Sequence, residues 1–227
     1  MRLSWMVIGL TSALLAGPLH AADTAKAAVA EDKAEVLEEK VVEDAPPPKK
    51  AETITPGEVK AVDPAGQSPL DDSITCLART IYWEAKGANE KDMTAVASVV
   101  LNRLGHDGFP DTICGVVKQG VETKACQFSW WCDGRSDQVE EAQRYDIAKE
   151  IARKALNQQL KDPTGGALYF HDRNVHPDWA KAYRKTAETT VELGSGQAFA
   201  IDQGRETLVA TMNATLMAIT GRADVQG

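Results

Sequence analysis

Between residues 74 and 104 the apolar positions fall at helical spacing. Ile74, Leu77, Ala78, Ile81, Tyr82 and Ala85 share one face, and Gly87 supplies a stop. Met93, Val96, Ala97, Val100, Leu101 and Leu104 form a second stripe starting near Glu90, with Asn89 as candidate N-cap and Gly105 as stop. Only Gly87-Ala88-Asn89 separates the two, which predicts a helical hairpin. Phe109-Pro110-Asp111 opens a short helix through Ile113, Val116 and Val117, and residues 120–135 read as loop. A long helix is predicted from Asp137 to about Leu160, with Asp137 and Glu140 as a variant capping box and Ala148, Ile151, Ala152, Ala155 and Leu156 as its inner stripe. Residues 165–171 predict a short extended piece, and Pro177-Asp178-Trp179 starts another short helix with Trp179 in the core. Leu208, Val209, Met212, Leu216 and Ile219 predict an amphipathic helix in a tail at 204–227. The pattern is mainly α with a small β element.

The N-terminal region reads differently. Arg2, the apolar run from Met6 to Ala16 and the small-residue site at Leu19-His20-Ala21 read as a secretory signal over residues 1–21. The run is short for a bilayer span of roughly 20 residues, so cleavage is favoured over a retained anchor. Residues 22–72 are built from Ala, Glu, Lys, Asp, Val and Pro, with no aromatic residue and Pro46-Pro47-Pro48 at the centre. This composition predicts a disordered linker, which leaves residues 73–203 as a single domain.

All four cysteines, Cys76, Cys114, Cys126 and Cys132, lie in that domain. An even count behind an export signal predicts two disulfides. Three pairings are open, and zinc binding is the competing reading. The net charge of −8 argues against nucleic-acid binding, which needs a basic face. No stable membrane insertion after signal cleavage is expected, nor any cofactor or metal. Location is expected to be periplasmic or secreted.

Glu84 is the candidate catalytic group. It flanks the first apolar stripe beside Tyr82 and Trp83, where lost hydration raises a carboxyl pKa as a general acid requires. Gln127 and Ser129 are candidate hydrogen-bonding partners for sugar groups. Trp130 and Trp131 offer apolar platforms for a sugar face, with at least one of the two exposed. Asp133 is the best candidate for a second carboxylate, although an Asp before Gly134 also reads as a turn residue. Asn102 and Arg103, ending the second helix, read as structural.

Taken in order, several motifs resemble the SleB-type cell wall hydrolases. They are Cys76-Leu77-Ala78-Arg79-x-Ile81-Tyr82-x-Glu84-Ala85-Lys86-Gly87 and Ala95-Val96-Ala97-x-Val99-Val100-Leu101-Asn102-Arg103, then Phe109 to Val117, Cys126-Gln127-Phe128-Ser129, Tyr169-x-His171 and Pro177-x-Trp179. The chain departs from the family pattern at Ala88, at Lys91-Asp92-Met93 and at Leu193 to Phe199, where the family's His is absent. The resemblance implies a lysozyme-like fold of the goose-type or lytic-transglycosylase kind. It also implies peptidoglycan glycan strands as substrate, Glu84 as the acid, and Tyr169 and His171 in the binding groove. The expected reaction is lytic transglycosylation at the β-1,4 bond between N-acetylmuramic acid and N-acetylglucosamine. The alternatives are an N-acetylmuramoyl-L-alanine amidase and a non-catalytic peptidoglycan-binding domain.

Overall fold

In the computed structural model, which describes residues 18–123, 126–172, 196–202 and 205–208, the helices are α1 (Pro18–Val42), α2 (Pro56–Ala61), α3 (Ser73–Glu84), α4 (Glu90–Arg103), α5 (Ile113–Lys118) and α6 (Ala142–Leu156). Ser129–Trp131 forms one 3-10 turn. Strands β1 (Tyr169–Asp172), β2 (Gly196–Asp202) and β3 (Arg205–Leu208) form an antiparallel sheet in the order β1-β2-β3. The hairpin of α3 and α4 matches the periodicity. Asp72 caps α3 by accepting from the Thr75 N–H (2.8 Å), and Asn89 caps α4 by accepting from the N–H groups of Lys91 and Asp92.

Helix α3 is the centre of the packing. Every residue from Ile74 to Tyr82 is buried, so the helix needs neighbours on all sides and not one apolar face alone. One of those buried residues is Arg79. Its guanidinium meets Asp63 at 2.7 Å, donates to the Asp137 carbonyl at 2.6 Å and lies over the Tyr145 ring. Asp63 is 4% exposed and also accepts from the Tyr145 hydroxyl (2.7 Å) and from the N–H groups of Gln67 and Ser68. Burial pushes the Asp63 carboxyl up, but the Ser68, Tyr145 and Arg79 donors outweigh it and hold the group below its usual value.

The expectation of disorder over 22–72 is corrected by the structure. Ala30, Ala34 and Leu37 of α1 are fully buried in the same core as α3, as are Ile54, Val59 and Val62. Glu38, 6% exposed, accepts from the Ile113 N–H at the start of α5 and from the Ser73 hydroxyl, both at 2.7 Å. The Asn157 side chain pairs with both the N–H and the carbonyl of Ile54. Thr55 and Glu58 form a capping box on α2, and Lys33 reaches from α1 to Glu58 at 2.9 Å. The stripe at 30, 34 and 37 is one residue wide and mostly alanine, too narrow to stand out against the surrounding charges. The Leu19-His20-Ala21 site falls in the first turn of α1, and residues 1–17 lie outside the described residues.

Three further expectations change. The long helix begins at Ala142 and not at Asp137. The Asp137 carbonyl is taken by Arg79 and by the Trp83 indole N–H (3.2 Å), while the N–H groups of Glu140 and Glu141 donate to the Tyr82 hydroxyl. These tertiary bonds hold 137–141 out of the helix. Its end moves as well, to Leu156. Residues 205–208 form β3 instead of starting a helix, and Asp202 lies opposite Arg205 in the ladder. The rest of the tail, and the helix expected at Pro177-Asp178-Trp179, lie outside the described residues. The cysteines form two disulfides, Cys76–Cys114 joining α3 to α5 and Cys126–Cys132 closing a short loop.

Two measurements test this packing. Leu37→Ala should lower unfolding free energy by about 2–5 kcal/mol in urea titration, whereas a disordered leader would leave the midpoint unchanged. Asp63→Ala strands the buried Arg79 charge and should cost about 3–5 kcal/mol.

Candidate functional site

Glu84 is the last residue of α3. The chain then turns through Ala85 to Gly87, whose φ of +87° is a conformation that side chains disfavour. The end of the helix therefore presents Glu84 at the close of the apolar stripe. The residue keeps some surface, yet protein packs round its carboxyl. Loss of hydration raises its pKa to about 7, against a smaller lowering by the Arg103 charge. The negative end of the α3 dipole acts in the same direction as desolvation. Among the described residues Glu84 accepts no hydrogen bond, and Arg103 is the only charge acting on it.

Arg103 ends α4 and is 2% exposed. Its guanidinium carbon lies 5.1 to 5.5 Å from the ring centres of Phe128, Phe109 and Tyr169. Its Nε–H donates to the Leu168 carbonyl at 2.7 Å, and its Nη1 is buried with no acceptor among the described residues. Burial lowers its pKa to about 10, opposed by Tyr169 and Glu84. Asn102 beside it donates to Asp162, Thr164 and the Ala167 carbonyl. The pair thus anchors the 162–168 segment that feeds β1. In the sequence Arg103 reads as structural; its link to Glu84 depends on where three aromatic rings from distant segments converge.

The other candidates divide. Tyr169 is half-buried against Arg103 and Phe109. His171 is half-buried on β1, two positions on from Tyr169 and opposite Gln197. Gln127 and Ser129 are exposed on the loop pinned by Cys126–Cys132. Trp130 is 4% exposed, so its ring faces are not offered for stacking, and Trp131 packs partly buried against the core. That corrects Trp130 as a stacking platform and the expectation that one of the two Trp stands exposed. Small flanking residues and a helical-turn backbone let both indoles fold inward. Asp133 accepts from the Arg135 N–H (2.8 Å), the turn role that an Asp before Gly134 suggests.

Residues 87–193 match a family model described as Cell Wall Hydrolase. This stretch resembles the cell wall hydrolase family. The match begins three residues after Glu84. The curated relatives include the spore cortex-lytic enzyme of Halalkalibacterium halodurans, 35% identical over 119 residues that cover 52% of this chain and 30% of the relative. That of Oceanobacillus iheyensis is 37% identical over 117 residues, 52% of this chain and 36% of the relative. That of Bacillus subtilis is 32% identical over 124 residues, 54% of this chain and 34% of the relative. The matched part of the chain spans about a third of the length of these relatives. No solved structure matches. Among the described residues, no helix is long and apolar enough to cross a membrane.

The raised pKa of Glu84 has a consequence for stability. The unfolded chain releases this proton near the ordinary value of about 4.3, the folded chain at about 7. The folded state binds the proton more tightly, so stability falls as pH rises from the first value to the second. Glu84→Gln should leave stability unchanged at pH 4 and raise it at pH 8 by up to about 3 kcal/mol, read from urea unfolding at the two pH values.

Proposed function

We propose that this chain is a peptidoglycan-cleaving enzyme, a lytic transglycosylase acting on the β-1,4 bond between N-acetylmuramic acid and N-acetylglucosamine, on a lysozyme-like helical scaffold. The observation that carries the reading is a desolvated Glu84 with a pKa of about 7 and no carboxylate acting on it among the described residues. A two-carboxylate glycosidase of the retaining type needs a partner at roughly 5–5.5 Å, and a charge that close would act on Glu84. The match of residues 87–193 to the Cell Wall Hydrolase model and the likeness to spore cortex-lytic enzymes support a wall substrate. Two disulfides suit an oxidising compartment, and we place the protein outside the cytoplasmic membrane.

The chemistry then runs in two steps. Protonated Glu84 gives its proton to the bridging oxygen as the bond to C1 of the muramic acid breaks, and the N-acetylglucosamine end leaves with a free hydroxyl. The Glu84 carboxylate next takes the proton of the muramic acid 6-hydroxyl. That oxygen closes onto C1, giving a 1,6-anhydro end and restoring protonated Glu84. Water is not consumed. Arg103 steadies the carboxylate formed between the steps, while desolvation keeps it basic enough to act. Tyr169 and His171 on β1, with Gln127 and Ser129 on the pinned loop, are proposed to border the glycan.

Mass spectrometry of fragments released from purified peptidoglycan tests this. Anhydro-muramic ends should form and vanish in Glu84→Gln. Reducing muramic ends would mean hydrolysis, free stem peptides an amidase, and binding without release a non-catalytic domain. The rate should fall with increasing pH above about 7, as Glu84 loses the proton it donates.

A further inference from the structure

Two opposite charges act on each other at the end of α3 without meeting. Glu84 and Arg103 each bias the other's titration. Yet among the described residues Glu84 accepts no hydrogen bond, and the Arg103 Nη1 is buried with no acceptor. A guanidinium beside a carboxylate ordinarily closes a forked ion pair, and a buried donor is nearly always used. No third charge explains the open pair, since Arg103 is the one charge acting on Glu84, and only Glu84 and the Tyr169 phenol act on Arg103. The restraint has to lie on Arg103 itself.

The surroundings of Arg103 supply it. Its Nε–H is tied to the Leu168 carbonyl at 2.7 Å. Its guanidinium carbon lies 5.1 Å from the ring centre of Phe128, 5.2 Å from that of Phe109 and 5.5 Å from that of Tyr169, inside the roughly 6 Å range of cation–π attraction. A guanidinium suits such a place because its charge is spread over a plane and weakly hydrated. Each ring is fixed in turn. Phe128, fully buried, lies in the loop closed by Cys126–Cys132. Phe109 ends a turn in which its N–H donates to the His106 carbonyl (2.9 Å), and its ring leans on Tyr169 at 5.7 Å. Tyr169 belongs to β1.

We propose that Phe109 and Phe128 are positioning residues whose ring faces hold the Arg103 guanidinium off the Glu84 carboxyl, so that its charge is felt at a distance and the ion pair stays open. Contact with an opposite charge lowers a carboxyl pKa by about 1–3. A closed pair would therefore leave Glu84 ionised at neutral pH, with no proton to donate. The value of the open pair to a general acid rests on the proposed function, whereas the open pair itself can be read without turnover.

The test is a carbon-13 titration of the Glu84 side-chain carboxyl in the full chain, assigned by its loss in Glu84→Gln. Phe109→Leu keeps an apolar filler at a half-buried position and removes the ring face. The midpoint should fall from about 7 to about 4–6, and Phe128→Leu should act the same way. Phe109→Tyr keeps the face and should leave the midpoint at about 7. In an Arg103→Met background Phe109→Leu should no longer lower it, because the charge that would swing across is gone. On peptidoglycan at pH 7, Phe109→Leu should lower kcat at least about fivefold, with the loss shrinking as pH falls. An unchanged or raised midpoint in both leucine variants, an equal fall in Phe109→Tyr, or a fall that persists without Arg103 would overturn the proposal. If the midpoints move as expected while the unmutated chain releases nothing from peptidoglycan, the positioning role stands and the enzymatic reading fails. If fragments form and vanish in Glu84→Gln but the midpoints stay put, the reverse holds.

Discussion

The Arg79–Asp63 ion pair is the constraint on which the arrangement of this molecule depends. Arg79 lies in the middle of a helix buried on every side, where an unpaired guanidinium could not stay charged without a large penalty. Its partners come from three separate places: Asp63 before α3, the Asp137 carbonyl before α6, and the Tyr145 ring within α6. Satisfying one side chain thus fixes the segment that precedes α3, the loop after the Cys126–Cys132 turn, and the helix behind both. A buried pair of this kind adds little net stability compared with apolar packing. What it contributes here is position, because the buried guanidinium has to meet all of these partners at once.

That position reaches the site. The Asp137 carbonyl that accepts from Arg79 also accepts from Trp83, the residue before Glu84. Tyr82, the residue before that, accepts from the backbone of Glu140 and Glu141 through its hydroxyl. The last turn of α3 is therefore held by hydrogen bonds from outside the helix, and Glu84 inherits a fixed direction. Desolvation raises its pKa, and the Arg103 charge limits the rise. A value near neutrality is the balance of those two opposing effects.

The α3–α4 hairpin, the N-cap at Asn89 and the short helix at 113–118 were legible in the sequence because each rests on local spacing. So was Glu84, which ends a stripe that needs no distant partner to be seen. The folded role of residues 22–72 was not legible. Ala30, Ala34 and Leu37 make a narrow stripe, and Glu38 reads as one more surface charge until the N-terminus of α5 and Ser73 are brought to it. Residues 137–141 carry helical signals that Arg79, Tyr82 and Trp83 override. Trp130 reads as a surface aromatic because nothing in its neighbours announces that the loop folds it inward.

Sequence by itself determined the pairing of α3 with α4, the place of Glu84 near the end of α3 and the even number of cysteines. Those follow from intervals of a few residues, where backbone geometry and side-chain periodicity suffice. Only the tertiary structure decided that Cys76 joins Cys114 and Cys126 joins Cys132, that the N-terminal helices belong to the core, and that Arg103 is the charge facing Glu84. Each of these links residues far apart in the chain, and such links are set by which buried polar group finds a partner once the core has closed.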